Sequence, residues 1–201
     1  MEDKFRLLEE LTKLHKEATT AIALMELYNE GNKSYPGLHN ELRNAFSHVM
    51  DMINARDNKD RYNEEFERAS SHLKRAIMDA YELVCLNCNE RMTNLLKPYD
   101  SEDVIKVFPT YYSEIKPEIL GVNQIVAEKK EDKRNEELLS SFRKDVYRLM
   151  GYYKEMEKGI PHLIELKKER AKKQFFQVKI PIFIGILGLL SGFVFFILGK
   201  R

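Results

Sequence analysis

Two clusters of polar side chains have the types and spacing to do chemistry. Arg43, Asn44 and His48 fall within one run, Arg43-Asn44-Ala45-Phe46-Ser47-His48. An imidazole titrates near neutral pH, and a guanidinium stabilises the charge that develops on a phosphate under attack. His72, Arg75 and Asp79 follow at spacings of three and four, along one face of a helix. Set opposite Arg43 and His48, they would form a polar cluster: an anion pocket, a nucleotide sensor or a nuclease site. The same residues also suit an interhelix salt-bridge network that fixes register. A short pattern links the two clusters. Ala45-Phe46-Ser47-His48-Val49 and Ala69-Ser70-Ser71-His72-Leu73 share Ala-x-Ser-His-aliphatic, so antiparallel packing of their helices would bring His48 near His72.

The run from Arg43 to His48 resembles the Arg-Asn-x-x-x-His signature of HEPN-family ribonucleases, which are helical-bundle proteins. The resemblance covers six residues of 201 and comes after a single long helix, whereas the family places its motif late in the bundle. It implies metal-independent attack of a 2′-hydroxyl on the adjacent phosphate, at a site completed across a dimer. His48 would be the catalytic imidazole, Arg43 the phosphate binder and Asn44 a positioning group, with RNA as the partner.

Other chemistry finds little footing. Cys85-Leu-Asn-Cys88 is a lone CxxC inside a helical stretch, and the sequence has no second CxxC or His pair to complete a zinc site. It reads as two free thiols. There is no Gly-rich phosphate loop, no Gly-x-Ser-x-Gly and no His-Glu-x-x-His. No metal site and no cofactor are expected, and enzymatic activity only if the chain is a HEPN-type nuclease.

The elements that must carry these residues are helices. The chain is 32% charged, yet Lys+Arg 33 and Asp+Glu 32 leave a net charge of +1, which argues against a DNA-binding module. Nine Gly and six Pro cluster at a few breaks, the profile of long helices joined by short loops. Apolar residues at spacings of three and four predict helices over 2–30, 38–55 and 61–96. Residues 98–118 read as irregular, with Phe108, Tyr111 and Tyr112 pinning that stretch onto the rest. A fourth helix is expected from about 117 to 158, and Gly159 and Pro161 mark a stop and restart. The expected fold is all-α: an antiparallel helical bundle over 1–158, a basic juxtamembrane stalk over 159–179 and a transmembrane helix over 180–199.

That last segment carries no charge, and about 20 helical residues span the hydrocarbon core of a bilayer. Met1 is followed by no apolar signal segment, which gives a tail-anchored topology. Lys167, Lys168, Arg170, Lys172, Lys173 and Lys179 precede the span and only Lys200 and Arg201 follow it, which places the N-terminal part in the cytoplasm. Gly185, Gly188, Ser191, Gly192 and Gly199 put small residues along the helix, where a second copy could approach closely. The functional expectation is a membrane protein whose cytoplasmic bundle senses a protein partner or signal and whose anchor self-associates. Stress or phage-defence effectors have this architecture; a membrane-tethered HEPN-type RNase and a membrane scaffold are the alternatives.

Overall fold

The computed structural model describes residues 2–29, 34–128 and 136–198. They form helices α1 (Glu2–Tyr28), α2 (Pro36–Asn54), α3 (Lys59–Leu96), α4 (Ser101–Val107), α5 (Lys116–Glu128), α6 (Glu136–Gln174) and α7 (Ile180–Leu198). Five-residue π-helical turns, Tyr111–Ile115 and Phe175–Lys179, lead into α5 and α7. No strand occurs among the described residues.

Helix α3 is the element against which the others pack. It starts where the side chain of Asn58 accepts a hydrogen bond from the backbone N–H of Arg61, which satisfies one of the free donors of the first turn. Its apolar residues recur on several faces: Ala69, Leu73, Ala76, Ile77, Ala80, Tyr81, Val84, Cys85 and Cys88 are all buried. A helix buried on more than one face must be surrounded, and α1, α2, α5 and α6 all contact it. Pro36 sits in the first turn of α2, where its missing N–H costs nothing, and starts the second helix cleanly.

Residue pairings fix the directions. Lys4 lies over the ring of Tyr62, Glu17 meets Tyr81, and Arg91 reaches the Leu27 carbonyl, so α1 and α3 run the same way. His48 pairs with Glu65 and Glu41 with His72, so α2 runs antiparallel to α3. Helix α6 runs parallel to α3, with Glu17 accepting from Arg143 near its start and Arg91 lying over Tyr153 further along. Arg91 also lies over Tyr28, whose ring meets that of Tyr153 edge-on at 5.7 Å. One guanidinium thus joins α1, α3 and α6.

Three expectations change. Residues 98–118 are not irregular: α4 forms there and buries Val104 and Asp103. The fourth helix is not one rod: Arg148 and Tyr152 of α6 reach back to Glu118 of α5, so α5 and α6 lie side by side. There is also no stop at Gly159 and Pro161, because α6 runs through both. Packing overrides the local signal. The buried Met156 and Leu163 hold the helix on either side of Pro161, and Gly159 sits against the ring of Phe108. Pro161 and Glu157 are exposed, so water can serve the Glu157 carbonyl that loses its partner.

The lower part of α6 is held by α4. Arg170 pairs with Asp100, Glu102 and the buried Asp103, while Lys167 donates to the Pro98 carbonyl at 3.1 Å. Two of the basic residues before the span therefore face protein. Helix α7 continues beyond the π-helical turn, and the apolar window, which reaches no further than Ser191, has no buried residue. It is the one helix among the described residues long and apolar enough to cross a membrane. Away from it, Phe46 and Ile53 of α2 are exposed beside the buried Ala45 and Met52.

Candidate functional site

The interface of α2 and α3 gathers most of the polar residues singled out by type. The imidazole rings of His48 and His72 stack with centroids 5.2 Å apart and planes inclined by 15°. His48 Nδ1 lies 2.7 Å from Glu65 Oε2, and His72 Nδ1 lies 2.7 Å from Glu41 Oε2. A carboxylate only accepts, so each Nδ1 carries its proton and donates across the interface. Two crossed His–Glu pairs therefore clasp the helices, with the stacked rings between them.

Each helix supplies one of each residue at the same spacing. Glu41 precedes His48 by seven residues, as Glu65 precedes His72. The shared five-residue pattern is the end of a longer one, Glu-aliphatic/aromatic-x-x-Ala-x-Ser-His-aliphatic, in both helices. Seven residues are close to two helical turns, so the Glu and His of each helix lie on one face. Ala45 and Ala69, both buried, fall between them and let the backbones approach. An antiparallel pair carrying the same motif twice has an approximate two-fold axis, and the two identical 2.7 Å contacts reflect it.

Arg75 joins the Glu41–His72 half. Its Nε is 3.5 Å from Glu41 Oε2 and its Nη2 is 3.0 Å from His72 Nδ1. That nitrogen cannot both donate to Glu41 and accept from Arg75. The shorter, charge-assisted contact with Glu41 decides, and Arg75 acts as a cation beside the carboxylate. The other half has a different neighbour. Asp51 stands with His48 and Glu65 so that one ligand-type atom of each lies within 4.8 Å of the others, and Glu65 is buried. Arg68 Nη1 approaches the second oxygen of Glu65 at 3.6 Å. These residues, with no place in the sequence reading as metal ligands, are the set here that could hold a metal. The legible signal was the His48–Asp51 spacing of one helical turn.

The remaining residues lie elsewhere. Arg43 is exposed, and five residues along a helix turn it roughly 140° from His48. Within one chain Arg43 and His48 therefore do not share a site; the nuclease arrangement needs two copies to bring them together. Asn44 is half-buried on α2. Asp79 lies beyond Arg75 and lines a hollow with Tyr35, Pro36 and Leu38, at the amino end of α2. There its charge favours the helix start rather than the histidine pair. Cys85 and Cys88 are fully buried free thiols. Burial pushes both thiols up, Cys88 to about 12, which keeps them protonated and unreactive.

In α7, no atom other than those of the helix itself and its chain neighbours lies within 4 Å of a Cβ placed on Gly185 or Gly188. Ser191 spends its hydroxyl on the Gly188 carbonyl at 2.9 Å. Gly192 lies in α7 with its surroundings outside the described residues, and Gly199 falls outside them altogether. Comparison of the chain with protein-family models, with curated proteins and with solved structures finds no match.

Proposed function

We propose that the chain is a single-pass membrane protein whose helical N-terminal part senses a partner or signal at the cytoplasmic face and whose α7 anchors it and self-associates. The observation that carries this reading is the continuity of α6 into α7. One end of that rod is packed on α3 and tied to α4, and the other leaves Ile182, Phe183, Ile186, Leu187 and Leu189 exposed. The 19 residues of α7 rise about 28 Å, close to the hydrocarbon thickness of a bilayer. Water is a poor solvent for such a surface, and lipid is a good one. The open faces at Gly185 and Gly188 suit a second copy of the helix, where close approach replaces hydrophobic drive. A membrane-acting stress or phage-defence effector is the activity that fits a sensing body on a self-associating anchor.

Fractionation tests the anchor. Full-length chain stays with the membrane through an alkaline carbonate wash, whereas a chain ending at Lys179 is released. Protease reaches the N-terminal part only from the cytoplasmic side. Gly188→Leu keeps the chain in the membrane and removes cross-linked oligomers, together with any loss of membrane potential on expression. Recovery of the full chain in the soluble fraction would sink this reading. RNA cleavage that vanishes in Arg43→Ala and His48→Ala would replace it with the nuclease.

A further inference from the structure

The two halves of the α2/α3 clasp match at Glu, Ala, Ser and His and part company three residues after each histidine. On α3 that position is Arg75, which brings a built-in cation to Glu41 and His72. On α2 it is Asp51, which adds a third ligand-type group to His48 and Glu65. Glu65 has an arginine as well, but Arg68 sits on its far oxygen, Oε1, and leaves Oε2 facing His48. We propose that this half takes an external cation there: a divalent transition-metal ion held by His48 Nδ1, Asp51 and Glu65.

The donor set and geometry support this. One imidazole with two carboxylates suits zinc, manganese or ferrous iron, and it suits magnesium poorly, since that ion prefers oxygen and retains its waters. A tetrahedral ion about 2.1 Å from each donor needs the donors about 3.4 Å apart. The 2.7 Å contact between His48 and Glu65 must open slightly, and the other donors, all within 4.8 Å of one another, must close by at most roughly 1.4 Å. Side-chain rotation covers both distances without moving a helix. The ion takes the Nδ1 lone pair, and the single proton of the neutral ring moves from Nδ1 to Nε2 by exchange with solvent. Arg68 stays on the other oxygen of Glu65 and leaves Oε2 to the metal. Asp51 and His48 are half-buried, which gives an ion a way in. Three protein ligands leave a coordination position for water, as in exchangeable rather than structural sites.

Full-length protein in detergent micelles, stripped of metal, is titrated with Zn²⁺ by calorimetry and with Co²⁺ by visible absorption. One equivalent binds per chain, with the Co²⁺ bands of a nitrogen–oxygen site of low coordination number. Asp51→Asn and His48→Gln each weaken binding at least 10-fold. Asp51→Arg, which copies the arrangement at Arg75, abolishes it while the helical circular dichroism is kept. His15→Gln and His39→Gln, on exposed positions, change nothing. Folded wild-type protein that binds no Zn²⁺, or binding that survives in folded Asp51→Asn and Asp51→Arg, overturns the proposal. The site does not depend on membrane insertion, so failure of the anchor reading leaves these results as expected.

Discussion

His48 and His72 take different roles from the residue one turn further along each helix. Both donate Nδ1–H to a glutamate at the same distance, but Arg75 sits beside the oxygen that His72 shares, while the other pair has Asp51 beside it and Arg68 on the far oxygen of Glu65. The buried thiols give a contrasting case, in which surroundings suppress chemistry. Cys85 and Cys88 have no accessible surface, and burial holds both thiols above their ordinary range, Cys88 at about 12. A thiol reagent at pH 8 therefore leaves both untouched in the folded chain and modifies both once denaturant unfolds it. The linkage sign follows. Below the unfolded thiol value, about 8.5, both states are protonated and stability is at its full level. As pH rises from there toward about 12, the unfolded state loses its protons first and stability falls. The phenol of Tyr81, pushed up to about 12 by burial and by Glu17, adds to the same loss above about 10. A denaturation midpoint lower at pH 10.5 than at pH 8 is the expected result, and an unchanged midpoint would contradict it.

Helix α6 contains two glycines whose settings differ. Gly151 has open space where a Cβ would stand, whereas a Cβ on Gly159 would lie 2.3 Å from Phe108 Cζ. Alanine at Gly151 gains about 1 kcal/mol of helix propensity, which raises the melting temperature by about 2–4 °C. Alanine at Gly159 gains the same propensity but must displace an aromatic ring, at a cost of about 1–3 kcal/mol. Gly151→Ala should therefore melt above wild type and Gly159→Ala no higher than wild type. Equal melting of the two variants would mean that Phe108 does not rest there.

The same helix shows where the sequence was readable. Apolar spacing located α1, α2 and α3 to within a few residues, and an unbroken uncharged run located α7, because both signals lie along the chain itself. Pro161 misled because its local cost is visible, while the offsetting burial of Met156 and Leu163 depends on distant partners. The histidine pair was half legible. The Ala-x-Ser-His echo pointed to it, but the glutamates seven residues upstream mean something only once the two helices run antiparallel.

At the scale of the molecule, α4 and α6 form a latch just above the apolar helix. Arg170 engages Asp103, which is almost fully buried, so the lower part of α6 cannot swing free without leaving that carboxylate unpaired. Beyond the latch the chain stays helical from Glu136 to Leu198, through one π-helical turn. Such a rod behaves as a shaft with a set rotational phase: the side of α6 pressed against α3 dictates which way Gly185 and Gly188 point. Each inserted residue turns everything below it by about 100°. Two residues added after Ala171 rotate the glycines by about 200°, to the far side, whereas seven bring them back to within about 20°. Membrane retention should be the same in both insertions. Disulfide cross-linking between copies through Lys168→Cys should fail with two added residues and return with seven. If cross-linking ignores the insertion length, body and anchor turn independently. If it follows the helical repeat, the orientation of one copy toward the next is written in the azimuth of a single helix.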